Sequence, residues 1–292
     1  MRVDSYETSA EFQRAAGDWL ARAPRRNNLI LTILRRAVTL AENARGWVVS
    51  SGGGPEIAGL QTSPLEQATL SDGSLDAARV AARFLPPDLT AIVGPSAVAD
   101  AFSAEWCART SRSAELHWEM TFYTVDRVEP FRYPGGGPIG EPIGELRRAT
   151  LADLDELRPM AIAAAKDMNL PAAEQDPEEI EKRIRRNIAG KRQFLWTEDS
   201  SIRAIAGYAE ALVDAGARIG LVYTPPEFRG RGYGTAITGS LAQLLLDEGQ
   251  AWVSLFADNA NPVSNGIYRR LGFRPELNYR MWLFGANDCW AR

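Results

Sequence analysis

Residues 221–236 read LVYTPPEFRGRGYGTA, and this stretch decides how the rest of the chain is interpreted. It begins with an apolar strand pattern, continues through two prolines and three alternating glycines, and ends where a helical pattern starts. Glycine lets a backbone approach a ligand closely, and the first amides of a helix point outward with partial positive charge. The stretch therefore predicts a strand, a turn and a helix N-terminus that binds a phosphate or diphosphate.

The spacing of the glycines argues against two common kinds of phosphate-binding site. The pattern lacks the Gly-Lys-Ser/Thr of a P-loop, and Thr235 stands where a dinucleotide motif has a third glycine or an alanine. That motif also needs an acid about 20 residues further on, whereas Asp258 follows only after a full predicted helix and strand. Arg229 and Arg231 would add charged donors to the site. A glycine-rich start of a helix without any ligand is the alternative.

The same stretch resembles the Arg/Gln-x-x-Gly-x-Gly/Ala signature of the GNAT superfamily of N-acetyltransferases, through Arg229, Gly232 and Gly234. A second segment, NPVSNGIYRRLGF at residues 261–273, resembles the family's Asn-x-x-Ala-x-x-hydrophobic-Tyr-x-x-x-Gly-Phe, with Ser264 in place of alanine. The two motifs follow each other in the family's order, with one predicted helix and one predicted strand between them. The resemblance covers residues 143–292.

The resemblance implies that both motifs bind acetyl-CoA. Backbone groups of the strand before the loop would pair with the pantetheine arm of coenzyme A, and the amides that begin the helix would hold the diphosphate. Asn261 would contact the pantetheine arm, and Tyr268 would lie near the thioester sulfur. The implied donor-binding residues are Val222, Tyr223, Thr224, Arg229, Gly230, Arg231, Gly232, Tyr233, Gly234, Thr235, Asn261, Ser264 and Tyr268.

Acyl transfer to an amine needs a base, an oxyanion site and a proton donor. An amine with a pKa of about 10 must lose a proton before it attacks. Glu210, late in a strand predicted over residues 202–212, is the candidate base, and a solvent-facing strand residue is the alternative. By resemblance, a backbone N–H around residues 222–224 would hold the oxyanion, and Tyr268 would donate to the leaving thiolate. The alternative for Tyr268 is packing on one face of its helix.

A proline- and glycine-rich stretch at residues 130–142 predicts a linker between a first domain, 1–129, and a second, 143–292. Both halves show the order strand pair, helix, strand, helix, strand, which favours a diverged tandem duplication over two unrelated domains. The fold prediction is α+β, a mixed α/β arrangement of two tandem acyl-CoA N-acyltransferase-like domains, each a mixed central sheet flanked by helices. The first half has neither motif, and VGPS at residues 93–96 stands where its loop would be. We therefore expect it to be degenerate, without acyl-donor binding.

Composition excludes several other classes of protein. With 33 Lys and Arg against 37 Asp and Glu, the net charge of −4 lacks the basic footprint of a DNA-binding protein. One histidine and two cysteines leave too few ligands for a His-based zinc site or a disulfide framework, so no metal is expected. No signal peptide and no run of about 18 apolar residues is found. A cytoplasmic protein with no membrane partner is predicted.

The sequence thus predicts an acetyl-CoA-dependent N-acetyltransferase, a monomer or homodimer, that acts on a primary amine of a small molecule. The amine would attack the donor directly in a ternary complex. Two alternatives stay open at this point. One is acyl or aminoacyl transfer to a peptide or protein amine, and the other is a non-catalytic sensor of acyl-CoA.

Overall fold

The computed structural model describes residues 1–39, 44–62, 67–132, 144–168, 175–210 and 216–285. Most of the predicted linker, residues 133–142, lies outside these ranges. So do the last two residues of the strand predicted over 202–212.

The described part of the first half contains six strands and four helices. They are β1 (Arg2–Tyr6), α1 (Ser9–Ala21), α2 (Asn28–Thr39), β2 (Arg45–Ser51), β3 (Gly54–Gln61), β4 (Ala68–Leu70), α3 (Leu75–Phe84), β5 (Ala91–Pro95), α4 (Ser96–Thr110) and β6 (Ala114–Val125).

The described part of the second half repeats this order. It contains β7 (Glu145–Arg148), α5 (Leu154–Asp167), α6 (Pro177–Ala189), β8 (Gln193–Glu198), β9 (Ser201–Glu210), β10 (Ala217–Tyr223), α7 (Tyr233–Asp247), β11 (Val253–Asp258), α8 (Pro262–Arg270) and β12 (Arg274–Phe284). Short 3-10 turns at Leu151–Asp153 and Pro226–Phe228 precede α5 and α7. The shared order of elements is the one expected from a tandem duplication.

The first helix of each half also begins in a related way. In α1 the amide of Glu11 donates to the Thr8 hydroxyl oxygen at 3.2 Å. Before α5, the amide of Thr150 donates to the Asp153 carboxylate at 2.7 Å within a capping box. A Ser or Thr followed three residues later by an acid satisfies the otherwise unpaired amides of a helix start.

The twelve strands found in the described part of the chain form one mixed sheet in the order β1-β2-β3-β4-β5-β12-β6-β11-β10-β9-β8-β7. The mixed α/β fold is therefore confirmed, but the strands are continuous across the two halves instead of forming a separate sheet in each. The halves are joined by an exchange of their last strands. β12, from the second half, lies between β5 and β6 of the first, and β6 lies between β11 and β12 of the second.

Through this exchange, the sheet of each half contains one strand that comes from the other half of the sequence. β6 pairs antiparallel with β11, from Val125 opposite Val253 to Met120 opposite Asp258. β12 pairs antiparallel with β5, from Tyr279 opposite Pro95 to Leu283 opposite Ala91. Each pairing supplies backbone hydrogen bonds that the receiving strand would otherwise lack. Each half thus completes the sheet of the other.

The eight helices within the described ranges cover the two faces of the sheet in equal number. Adjacent residues of β6, Phe122 and Tyr123, belong to different core clusters, because neighbouring side chains of a strand point to opposite faces. On one face α1 and α2 pack beside α5 and α6, and on the other α3 and α4 pack beside α7 and α8. No helix in the described ranges is long and apolar enough to cross a membrane.

Two strands, β1 and β4, were not predicted. β1 is an edge strand that carries Arg2 and Asp4, and β4 has only three residues, too few for a periodic pattern. Because β4 was not predicted, the sequence analysis matched the elements of the first half to the wrong elements of the second. Residues 93–96, expected at the counterpart of the glycine-rich loop, instead form the end of β5 and the first residue of α4. The structural counterpart of that loop is residues 71–74, between β4 and α3.

Candidate active site

Strands β10 and β11 separate partway along their length. They pair in parallel only at Ala217 with Val253 and at Arg218 with Ser254. Further along β10, the pairing with β9 is shifted between Gly220 and Tyr223, and Leu221 adopts a left-handed φ of 52°. Such a conformation is strained for a leucine, and it turns the backbone groups of the strand away from a regular ladder. Beyond the divergence, backbone groups of β10 are not paired with β11.

The predicted strand residues lie at this divergent end. Val222 packs towards the core cluster of α7, and Tyr223, 7% exposed, packs in the cluster of α5 and α6. Thr224 follows the strand, and its carbonyl accepts a hydrogen bond from Arg229 Nε at 3.0 Å. The structure thus brings residues 222–224 directly beside the glycine-rich loop.

The loop leads into α7 through two glycines in the left-handed region. Gly230 has φ 76° and Gly232, the N-cap of α7, has φ 91°. No side chain caps this helix, so its first amides have no partner from a cap. A Cβ added at Gly230 would meet no atom within 4 Å, which leaves the backbone accessible there. Residues 230–235 therefore form an uncapped helix N-terminus of the kind that binds anions.

The two arginines of the loop have different surroundings. Arg229 Nη2 lies 2.5 Å from Asp167 Oδ2, and its guanidinium lies over the Tyr223 ring. With its bond to Thr224, this side chain links the end of β10 to the end of α5, so its described contacts hold the turn. Arg231 is exposed and makes no hydrogen bond or ion pair with the described residues. Of the two, Arg231 is the one whose side chain is available to a charged ligand.

Tyr233 begins α7 with its side chain in the core. It is 4% exposed, and its hydroxyl donates to the carboxylate of Glu198. Burial raises the pKa of the Tyr233 hydroxyl, and the bond to Glu198 raises it further. Only the backbone of this predicted residue lies at the helix N-terminus.

Helix α8 begins with the second predicted motif. Asn261 is its N-cap, and the Asn261 side chain accepts from the amide of Ser264 at 3.1 Å. Tyr268, one turn further, is 8% exposed and packs against the rings of Tyr123 and Phe273. Burial raises the pKa of Tyr268 to about 12, against the opposing effect of a hydrogen bond with Ser264. The hydroxyl of Tyr268 is therefore protonated at neutral pH.

A buried pair that the sequence did not indicate supports this helix. The Tyr123 hydroxyl, from β6 of the first half, donates to Asn265 Oδ1 at 2.8 Å. The Asn265 side-chain amide donates in turn to the carbonyl oxygens of Asp258 at 2.7 Å and Asn261 at 2.8 Å. An asparagine on the buried face of a predicted helix was a possible signal for Asn265. No local signal connects it with Tyr123, which is 142 residues away.

Glu210, the predicted base, lies elsewhere. It stands opposite Ala217, the first residue of β10, where β10 and β11 are still paired. Its carboxylate forms an ion pair with Arg35 of α2 at 2.5 Å. The structure thus places Glu210 against the first half, at the end of β10 away from the glycine-rich loop. Its role as a base stays a prediction.

No group of three or more His, Cys, Asp or Glu side chains in the described ranges is placed to hold a metal ion. The described residues thus combine an uncapped helix N-terminus, two diverging strands and a buried, protonated tyrosine. Together these can hold a phosphorylated ligand with an extended arm and donate a hydrogen bond near the end of that arm.

Comparisons with known proteins agree with this geometry. Residues 182–283 match the model of the FR47-like protein family. A GNAT-family acetyltransferase from Colwellia psychrerythraea has the same fold, with a TM-score of 0.59 at 10% identity, over 97% of this chain and 99% of that one. A protein from Drosophila superposes with a TM-score of 0.66 at 10% identity, over 98% and 99% of the two chains.

A tandem GNAT protein from the clavulanic acid biosynthesis pathway shares the fold with a TM-score of 0.54 at 14% identity, over 96% of this chain and 98% of that one. No curated protein sequence matches the chain. The family match covers both predicted motifs, and the fold likeness extends over both halves. The predicted resemblance is thereby confirmed for residues 182–283, which match the FR47-like family, and the chain as a whole has the fold of GNAT acetyltransferases.

Proposed function

We propose that this protein transfers an acetyl group from acetyl-CoA to a primary amine of a small molecule, by direct attack within a ternary complex. The observation that carries the proposal is the uncapped N-terminus of α7 beside the diverging strands β10 and β11. A diphosphate and an extended arm need these two features next to each other, because the amides hold the charge and the free strand edge holds the arm.

Donor binding is assigned to residues of both motifs. The amides of residues 230–235 hold the diphosphate, and Arg231 adds a charge from the exposed side of the loop. Backbone groups of residues 222–224 pair with the pantetheine arm. Asn261 and Ser264, at the start of α8, approach the arm from the opposite side of the gap.

The thioester supplies the activated acyl group, and the chain supplies stabilisation of charge. A backbone N–H near residues 222–224 donates to the carbonyl oxygen as it gains charge. Tyr268 donates a hydrogen bond to the departing sulfur. Its pKa of about 12 lies well above the roughly 8.5 of a thiol, so the tyrosine keeps its proton and stabilises the thiolate as a hydrogen-bond donor.

The test of donor binding is calorimetry with acetyl-CoA on a matched pair of glycine variants. Gly230 and Gly249 both have positive φ, and a Cβ at either position would meet no atom within 4 Å. Gly230→Ala and Gly249→Ala therefore impose similar backbone strain at the two ends of α7. We expect Gly230→Ala to weaken binding about tenfold or more, since its Cβ enters the space of the diphosphate, and Gly249→Ala to bind like the unchanged protein.

The test of catalysis is release of free thiol with a panel of amines. Turnover with small amines supports the proposal, and turnover with peptides alone assigns a peptide acceptor. Binding of acetyl-CoA without turnover of any amine indicates a sensor. If no heat is detected with acetyl-CoA, the whole proposal is wrong.

A further inference from the structure

We propose that Tyr123, a residue of the first half, is a positioning residue for the acyl-donor site of the second half. The inference rests on the proposed function and extends it to a residue outside both motifs. Tyr123 lies in β6, which is inserted between β11 and β12, and its side chain is fully buried. It acts through Asn265 on the helix that carries Asn261, Ser264 and Tyr268.

The contact between Tyr123 and α8 is made through one buried side-chain amide, that of Asn265. Asn265 is 7% exposed, accepts from the Tyr123 hydroxyl at 2.8 Å and donates to the carbonyls of Asp258 and Asn261. Asp258 is the last residue of β11, and Asn261 is the N-cap of α8. One side chain therefore fixes the turn that joins the diverging strand to the helix.

The Tyr123 hydroxyl is the partner of the amide oxygen of Asn265. The two carbonyl oxygens can only accept, so they require the NH2 group on their side, and the amide oxygen then faces Tyr123, whose hydroxyl donates to it. If the hydroxyl is removed, Asn265 Oδ1 becomes a buried acceptor without its partner. The start of α8 then loses its fixed position, and Tyr268, three residues after Asn265, moves with it.

The first half contains a matching bond at the equivalent place. Trp282, from β12 of the second half, donates through Nε1 to Asp100 of α4 at 2.9 Å. In each half, an aromatic residue of the exchanged strand thus holds the helix that follows the penultimate strand. Only α8 carries residues assigned to the donor site, so Trp282 provides a control of the same structural kind.

The experiment compares steady-state kinetics of Tyr123→Phe and Tyr268→Phe with those of the double variant, with acetyl-CoA as donor and an amine that the unchanged protein acetylates. We expect Tyr123→Phe to lower kcat about tenfold, with a smaller change in KM for acetyl-CoA. In the Tyr268→Phe background, the same substitution should cause no further loss. An unchanged kcat in Tyr123→Phe, or an equal loss in both backgrounds, overturns the inference.

A second readout separates positioning from general destabilisation. Amide hydrogen exchange of residues 259–272 should be faster in Tyr123→Phe than in the unchanged protein, and exchange in α4 should be the same. Trp282→Phe should lower the melting temperature while kcat stays unchanged. A loss of kcat in Trp282→Phe as large as that in Tyr123→Phe would show a merely structural effect and overturn the inference.

Failure of the inference is distinct from failure of the proposed function. If the unchanged protein neither binds acetyl-CoA nor releases thiol, the proposed function is wrong and the inference is wrong with it. If the unchanged protein is active and Tyr123→Phe matches it in kcat and hydrogen exchange, only the inference is wrong. Should Tyr123→Phe not fold, Asn265→Ser breaks the same contact at its other member, and the same loss of kcat is expected.

Discussion

The two halves begin their third helix in opposite ways. In the second half, α7 starts at Gly232 with no capping side chain. In the first half, α3 starts at Ser74, whose side chain accepts from the amide of Ala77, and Asp76 lies in its first turn. An amide that is already bonded and a nearby carboxylate both disfavour a bound diphosphate. The same element therefore has an open, uncapped start in one half and a start closed by a side-chain cap in the other.

The space beside a glycine of the central strands also differs between the halves. A Cβ at Gly220 of β10 would meet no atom within 4 Å. In the first half, a Cβ at Gly94 of β5 would lie 2.9 Å from the Leu70 Cβ, because Leu70 of β4 packs tightly against this strand. Asp72, in the following loop, is further fixed by an ion pair with Arg26 at 2.5 Å. The two halves thus share one order of elements, whereas the uncapped start of the third helix is found only in the second half.

The largest expected effect comes from separating the halves. Residues 1–132 and 144–292, produced alone, should show no cooperative thermal unfolding, because each lacks the exchanged strand that pairs with its own β5 or β11. Mixing the two pieces should restore a melting transition, measured by circular dichroism. Independent folding of either piece would contradict the interlocked sheet and support two separable domains.

An intermediate effect is expected from enlarging the space beside Gly94, which Leu70 fills in the core of the first half. Leu70→Ala should lower the free energy of unfolding by about 3 kcal/mol, since Leu70 is 1% exposed and its removal leaves a cavity. Acetyl-CoA should still bind with one molecule per chain in calorimetry, because Ser74 and the acids near α3 remain. A second bound equivalent would show that Leu70 alone closes the first half.

The smallest effect is expected from substitutions at the starts of α1 and α5, the first helix of each half. Asp153 pairs with Arg147 at 2.6 Å, and this bond lowers the pKa of the Asp153 carboxyl to about 2. A lowered pKa stabilises the folded state above the ordinary pKa of 3.8, and this contribution is lost as the pH falls towards 2. Asp153→Asn should cost about 1–2 kcal/mol at pH 7, by chemical denaturation.

The same measurement has a control in the first half. Glu11→Gln removes the charge of the exposed carboxylate that accepts from the Thr8 hydroxyl at 3.0 Å, and it should cost less than Asp153→Asn. The stability of Asp153→Asn and of the unchanged protein should converge near pH 2. A difference that stays constant from pH 7 to pH 2 would contradict the ion-pair explanation.

Most elements of the fold could be predicted, since their signals are local. Asp176 before Pro177 indicates the start of α6, and its side chain does accept from the amides of Glu178 and Glu179. Apolar spacing likewise located α7 and α8. The alternating glycines indicated an uncapped helix start, because a glycine N-cap offers no side chain to the amides. These features depend on residues within one or two turns of each other.

Contacts between distant residues could not be predicted. From the sequence, Arg229 and Arg231 were expected to be equivalent donors to a phosphate. In the structure Arg229 pairs with Asp167 of α5, and this contact distinguishes it from Arg231. The sequence placed Glu210 in the right strand but not beside Arg35 of α2. Neither partner is near in sequence, and an ion pair between elements leaves no periodic pattern.

The sequence by itself determined the resemblance to the family, the order of most elements and the uncapped, glycine-rich helix terminus, because short-range spacing and backbone freedom specify all three. Only the tertiary structure decided that β6 and β12 change places and that Tyr123 reaches Asn265. The hydrophobic pattern of a strand specifies which faces are buried, and it does not specify the neighbour that will share its backbone hydrogen bonds.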